Sequence, residues 1–236
     1  MSSSFFNDLK ELLEKLPGIG PRQASRFIWA MLDFESKERE KMASLISNLD
    51  SHLTRCVECF RAFGTATPGS SKPGFETSKK PGFFPPGVII CPFCQPNSSR
   101  DHSKIMVVER DSDLLNIEKS KIYNGIYHVL GGALDPLEKD DSVRKKIKKL
   151  WDRISRSSTS DVKSSKTSDV FPREIIIALS PTKLGEFTAS FIEKIFEPLS
   201  KSRNIKISRL ARGLATGTDL EYADEMTLRQ AIDNRK

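Results

Sequence analysis

The sequence predicts a multi-module α/β protein: a helical start, a small cysteine-built module, an open parallel sheet wrapped by helices, and a short tail. Three observations carry that prediction. Apolar residues recur at helical spacing through the start of the chain. All four cysteines fall in two Cys-x-x-Cys pairs, in "RCVECF" and "IICPFCQ". From Ile105 onward, short β-branched runs alternate with amphipathic stretches, as in a sheet whose strands are joined by helices.

The helical start can be read residue by residue. Leu9, Leu12, Leu13 and Leu16 follow the i, i+3, i+4, i+7 spacing of one helix face, and Pro17-Gly18 stops that helix. Pro21 opens a second helix whose apolar stripe is Ala24, Phe27, Ile28 and Met31. Between them, in "LPGIGPRQASR", Gly18 and Gly20 lack a Cβ, so the backbone can approach a phosphate and aim its amides at it. Arg22 and Arg26 lie on one helix face beside that bend. This is the pattern of a helix-hairpin-helix, a motif that grips nucleic-acid backbones and reads no bases. The plainer alternative is a structural αα-hairpin with solvated arginines. A third helix from about Lys37 to Leu53, with Met42, Leu45, Ile46, Leu49 and Leu53 repeating on one side, delivers the chain to the first cysteine pair.

Metal ligation and disulfide bonding compete for the cysteines Cys56, Cys59, Cys91 and Cys94. The N-terminus has neither the basic start and apolar run of a secretory signal nor a cleavage site, and no stretch of about 18 apolar residues occurs. The expectation is a soluble cytoplasmic protein, where thiols stay reduced, so two Cys-x-x-Cys knuckles point to one structural zinc ion. Four thiolates leave no place for an activated water, so such a zinc folds the chain and does not catalyse. The stretch between the pairs, rich in Gly, Pro, Ser and Lys, reads as a long loop. Phe60, Phe63, Phe83 and Phe84 are expected to pack around the metal.

Composition narrows the partner. The formal net charge is +7, and 37% hydrophobic content is enough for an ordinary core. A basic balance favours a polyanion.

The second half predicts the sheet. "KIMVVE" is a strand ending in Glu109, "YHVLGG" another, "REIIIALSP" the most apolar, and "NIKISRLA" the last. Asp111 and Asp113, after Glu109, are placed to cap the following helix. "FTASFIEKIFEPL" is a helix with one apolar stripe. Ligands of parallel sheets gather at the carboxyl ends of the strands, where Glu109 and the "SPTKLGE" loop with Glu186 fall. In "DDSVRKKIKKLWDRI", Val143, Ile147, Leu150, Trp151 and Ile154 share a face, and Arg144, Lys145, Lys146, Lys148 and Lys149 cover the rest. It reads as a helix packed on the sheet with a solvated basic side; a membrane-surface or partner-binding helix is the alternative.

In this order, the hairpin, the four cysteines, a strand ending in "VVE" and the tail "RLARGLATGTDLEYADEMTLRQAI" resemble the bacterial RecR family of recombination mediators. The tail matches the family pattern at Arg209, Ala211, Gly213, Gly217, Asp219, Leu220, Glu221, Tyr222, Asp224, Thr227 and Leu228. The resemblance implies a helix-hairpin-helix region over residues 1–54 and a zinc module over 55–100. It further implies a Toprim-type domain over 101–208, with a flexible insertion near 155–172, and a family tail over 209–236. It implies a non-enzymatic, clamp-like homo-oligomer, dimer or tetramer, that acts in recombinational DNA repair. Such a clamp binds single- or double-stranded DNA without sequence preference and helps RecO, and in places RecF, load RecA at single-stranded gaps. Carried onto this chain, the DNA-contacting positions are Gly18, Gly20, Arg22 and Arg26, the zinc ligands are the four cysteines, and the partner-contacting acids are Glu109 and Glu186.

The chain departs from the family in its two long insertions, in Ala215-Thr216 within the tail, and in the Lys183-Leu184 pair where the family carries an acidic residue. A Toprim-type metal-dependent enzyme, a primase or topoisomerase relative, is the alternative. It would use Glu109 together with an Asp-x-Asp after a later strand, where this chain has Ser180-Pro181-Thr182.

Overall fold

A computed structural model describes residues 4–64, 89–137, 141–156, 172–211, 217, 221, 223 and 225–233. Most of the two predicted insertions, Phe83 and Phe84 among them, and the tail positions Gly213, Ala215, Thr216, Asp219, Leu220, Tyr222 and Asp224 lie outside the described residues. The chain divides into two compact units, the first reaching Leu53 and the second beginning at Thr54.

The first unit is helical: α1 (Ser4–Glu14), α2 (Pro21–Leu32), α3 (Ser36–Ser47) and the single turn α4 (Leu49–His52). α1 and α2 meet through Phe6 and Trp29, whose ring centroids lie 5.2 Å apart. Of the predicted α2 stripe, Ala24 and Ile28 are buried, Met31 is half-buried and Phe27 is partly exposed. The expected continuous third helix is corrected to two shorter ones. It breaks at Asn48, which sits at φ −99°, ψ 14° and whose side-chain amide donates to the Ser44 carbonyl at 2.8 Å alongside its own backbone N–H at 3.0 Å. Its stripe is also exposed, from 37% at Met42 to 67% at Ile46, and α3 has no buried residue. Periodicity reports that a helix has an apolar side; it does not report that the same chain covers it.

The second unit is built on a four-stranded parallel sheet in the order β4 (Gly125–Val129), β3 (Asp101–Val108), β5 (Glu174–Ala178), β6 (Lys206–Arg209). A two-stranded ribbon, β1 (Leu53–Arg55) with β2 (Ala62–Gly64), belongs to the cysteine module. The helices are α5 (Asp111–Ser120), α6 (Ser142–Arg156), α7 (Lys183–Arg203) and α8 (Glu225–Asp233).

Side chains alternate across a strand, so both faces of a covered sheet must be apolar. Ile105 and Val107 of β3, with Ile175 and Ile177 of β5, face Ile147, Leu150 and Ile154 of α6 and Ile192 and Phe196 of α7. Met106 and Val108, with Tyr127 and Val129 of β4, face Leu114 of α5 and the cysteine-module rings Phe60 and Phe93. The cysteine module thus covers part of one sheet face beside α5. The chain leaves β3 for β4 and returns past it to β5, so the topological switch lies at β3, whose carboxyl end carries Glu109.

Candidate metal centre and nucleic-acid interface

The bend between α1 and α2 begins with Gly18 at φ +82°, a left-handed conformation that favours glycine, and Ile19 N–H donates to the Leu16 carbonyl at 3.2 Å. Gly20 caps α2 in extended conformation, and Pro21 occupies the first helical position, whose N–H would have no partner in the helix. A Cβ built on Gly18 or Gly20 would meet nothing within 4 Å, so this backbone is open to an approaching ligand. Arg22 and Arg26 are exposed, and neither pairs with a carboxylate among the described residues.

The four cysteines converge. All four Sγ atoms lie within 4.8 Å of one another, none forms a disulfide, and Cys59 Sγ and Cys91 Sγ are 3.5 Å apart. A tetrahedron of sulfurs around zinc, with bonds of about 2.3 Å, has edges of about 3.8 Å, so the cluster has the size of such a site. Val57 N–H donates to the Ile89 carbonyl at 3.1 Å, Cys56 N–H to the Arg61 carbonyl at 3.0 Å, and Cys91 N–H to Cys56 Sγ at 3.3 Å. The first and third of these bonds tie the two knuckles together, and the second closes the first knuckle on itself. Without a cation the four thiols cannot all ionise: hydrogen bonds within the cluster hold Cys56 and Cys91 below the usual thiol value, while hydrogen bonding to Cys56, with burial added, pushes Cys59 and Cys94 far above it. A divalent ion inverts that cost, because the charge that opposes ionisation becomes the charge that binds. Phe63 packs on the cluster as expected, whereas Phe60, at φ +61°, turns to the sheet and meets His128 edge-on at 5.4 Å.

Three attachments join this module to the sheet. Val129 N–H on the outer side of β4 donates to the Cys59 carbonyl at 2.8 Å. Asp111, expected to cap α5, instead accepts from Ala62 N–H at 2.8 Å and from Arg55 Nη1 at 3.2 Å, while Asp113 does the capping by accepting from Arg110 N–H at 2.8 Å. Arg153 of α6 donates Nη1 to the Tyr127 carbonyl at 3.1 Å and Nη2 to Cys94 Sγ at 3.4 Å, with Nε 3.7 Å from Glu58. Burial alone would lower the Arg153 pKa; the Cys94 and Cys59 sulfurs and Glu58 hold it above its ordinary value. Phe93 is sandwiched between the guanidinium carbons of Arg61 and Arg100, 4.0 and 3.9 Å from the ring centre.

Sequence reasoning missed Arg153 and misplaced Lys146 on the solvated side of α6. Lys146 donates to the Leu130 carbonyl at 2.8 Å and lies 5.8 Å from the Phe60 ring centre. A signal was present: Lys146, Leu150 and Arg153 follow i, i+4, i+7, a stripe that runs along the buried side of the helix.

At the carboxyl edge of the sheet, Glu109 is buried, with Arg110 Nε 3.5 Å from one oxygen and no hydrogen-bond partner among the described residues for the other. Glu186 lies in the first turn of α7, whose N-cap Thr182 accepts from Gly185 N–H at 3.1 Å, and it pairs with Arg209 at 2.9 Å. Among the described residues no helix is long and apolar enough to cross a membrane.

Together these features define a Toprim-type α/β protein that also carries a glycine-cornered helical hairpin and a tetracysteine module. The family model described as Toprim domain matches residues 103–211, and that described as RecR, C-terminal matches residues 213–236. The protein named recombination protein RecR in Dehalococcoides mccartyi is 32% identical, the match covering 98% of this chain and 93% of that one. Its namesakes in Carboxydothermus hydrogenoformans and Staphylococcus saprophyticus are 33% and 34% identical, over 97% and 94% of this chain and 94% and 91% of theirs. The chain belongs to the RecR family of recombination proteins.

Proposed function

We propose that the protein is a non-enzymatic DNA-binding mediator of recombinational repair. The hairpin amides around Gly18 and Gly20, together with Arg22 and Arg26, grip phosphates and leave bases unread. One observation carries this reading: the hairpin backbone is open on its glycine side, with two exposed guanidinium groups beside it that pair with no carboxylate among the described residues. Fluorescence anisotropy at low salt tests it, with the expected result that oligonucleotides of unrelated sequence bind with similar affinity. Binding confined to one sequence, or none, refutes it.

The cysteine cluster holds zinc in this reading, through Cys56, Cys59, Cys91 and Cys94. The ion supplies a closed cross-link and no open coordination position. The exposed stripe of α3, with Leu45 and Ile46 at its centre, is the surface on which copies of the chain associate into a clamp-like dimer or tetramer. The sheet edge at Glu109 is where RecO, and in some settings RecF, docks for RecA loading at single-stranded gaps; one Glu109 oxygen is buried with no hydrogen-bond partner among the described residues, a cost that a rearrangement on docking would relieve. Glu186 contributes less there, because Arg209 already pairs with it. The enzymatic alternative is disfavoured because Ser180-Pro181-Thr182 follow β5 where a metal-binding Asp-x-Asp is required.

A further inference from the structure

A hollow of about 210 Å³ opens between α6 and α7. Ile147, Trp151, Phe191 and Ile195 form its floor, and Arg144 and Lys148 stand at its rim. The floor continues along α7: Phe187 stacks on Phe191 with ring centroids 6.5 Å apart, and Leu184 follows one turn earlier. Leu184 and Phe187 are 41% and 43% exposed, and with Phe191 and Ile195 they make a single stripe at helical spacing. On α6 the outward residues Arg144, Lys145, Lys148 and Lys149 are all exposed. Of these four, Arg144 alone has a carboxylate within reach among the described residues, Asp141 at 3.8 Å.

The geometry points to a docking groove for an acidic amphipathic helix of a partner protein. The stripe from Leu184 to Ile195 runs for about 16 Å of helix axis, the length of about three helical turns. A helix laid along it would bury apolar residues at i, i+3 or i+4 spacing against Phe187 and Phe191, the usual way a helix is read by a groove. Its acidic side would face the α6 cations, because charge complementarity fixes register and excludes basic competitors. A nucleic-acid strand fits less well. The floor offers a single side-chain hydrogen-bonding group, the Trp151 indole N–H, so a base pressed into it would bury most of its polar edge unpaired. This surface is built from the second unit alone and does not depend on the reading of the hairpin as a DNA grip.

The test uses the full-length protein with Trp29→Phe, so that Trp151 is the remaining tryptophan. The probe is a labelled helical peptide of glutamate carrying leucine and phenylalanine at the matching spacing, titrated at low salt. The expected result is saturable binding that shifts Trp151 emission and weakens about tenfold on Arg144→Glu with Lys148→Glu, and similarly on Phe187→Ser. Both sets of substitutions lie on exposed side chains, and circular dichroism checks that the fold is kept. Absence of saturable binding overturns the proposal, as does equal binding of a lysine-for-glutamate peptide. A single-stranded oligonucleotide that shifts Trp151 emission where the peptide does not overturns it in favour of nucleic acid. Self-association lost on Phe187→Ser overturns it in favour of a second copy of this chain.

Discussion

Replacing Arg153 by methionine removes a side chain that bonds the cysteine cluster, the sheet and α6 together, while keeping an apolar stem of similar bulk. The lost contacts are the bond to the Tyr127 carbonyl at 3.1 Å, the bond to Cys94 Sγ at 3.4 Å and the longer pairing with Glu58 at 3.7 Å. A hydrogen bond from a charged donor is worth about 1.5–3 kcal/mol, and the Glu58 contact contributes little because its carboxylate can rehydrate. The expected destabilisation is about 3 kcal/mol. For a domain of this size each kcal/mol shifts the thermal midpoint by about 2–4 °C, so the midpoint should fall by about 6–12 °C. Arg153 also offsets the negative charge of four thiolates around a divalent cation, so the variant should release metal to a chromogenic chelator faster than the parent protein. Arg153→Lys should recover less than half of the loss, because an ammonium cannot fork between a carbonyl and a sulfur. A midpoint within about 1 °C of the parent, with unchanged metal release, would refute the assignment of Arg153 as the clamp.

Asp111→Ala should cost about 1–2 kcal/mol by orphaning the Ala62 amide, read as a lower urea midpoint; an unchanged midpoint would mean that water replaces the carboxylate. His128 is fully buried, and burial first, then the charges of Arg153 and Lys146, lower its pKa from 6.5 to about 3. The unfolded chain therefore takes up a proton that the folded chain refuses. This contribution to stability is whole above pH 6.5 and falls by about 1.4 kcal/mol per pH unit as the pH drops towards 3. Urea titrations between about pH 4.5 and 5.5 should show that slope in the parent protein and lose it in His128→Gln; parallel curves would contradict it. Gly18→Ala forces a Cβ into a left-handed bend and should cost about 1 kcal/mol while weakening DNA binding, measured by melting and anisotropy together; intact binding would show that the bend tolerates a side chain.

Much of the fold was legible because its elements obey simple periods. The apolar strands around Ile105 and Ile175 and the helix stripes of α6 and α7 are local patterns, and the parallel sheet follows from their alternation. The cysteine pairs were legible for a chemical reason, since two knuckles need one ion. What stayed hidden was partnership between distant positions. Nothing in "ERDSDLL" says that Asp111 will accept from Ala62 and not cap its own helix, because both roles suit a carboxylate at a helix start. Arg153 was obscured by a run of basic neighbours, most of which are solvated. The α3 stripe was legible as a stripe, but its exposure was not, because periodicity does not say whether the same compact unit supplies a cover.

The central claim is that an open glycine bend and two arginines hold a phosphate backbone, and the salt dependence of DNA affinity tests it most directly. Each phosphate contact releases condensed counterions, contributing about 0.7 to the slope of log affinity against log salt on single strands and about 0.9 on duplex. Arg22→Ala with Arg26→Ala should therefore flatten the slope by about 1.4–1.8, and do so equally for unrelated sequences. An unchanged slope in a folded variant would contradict the account.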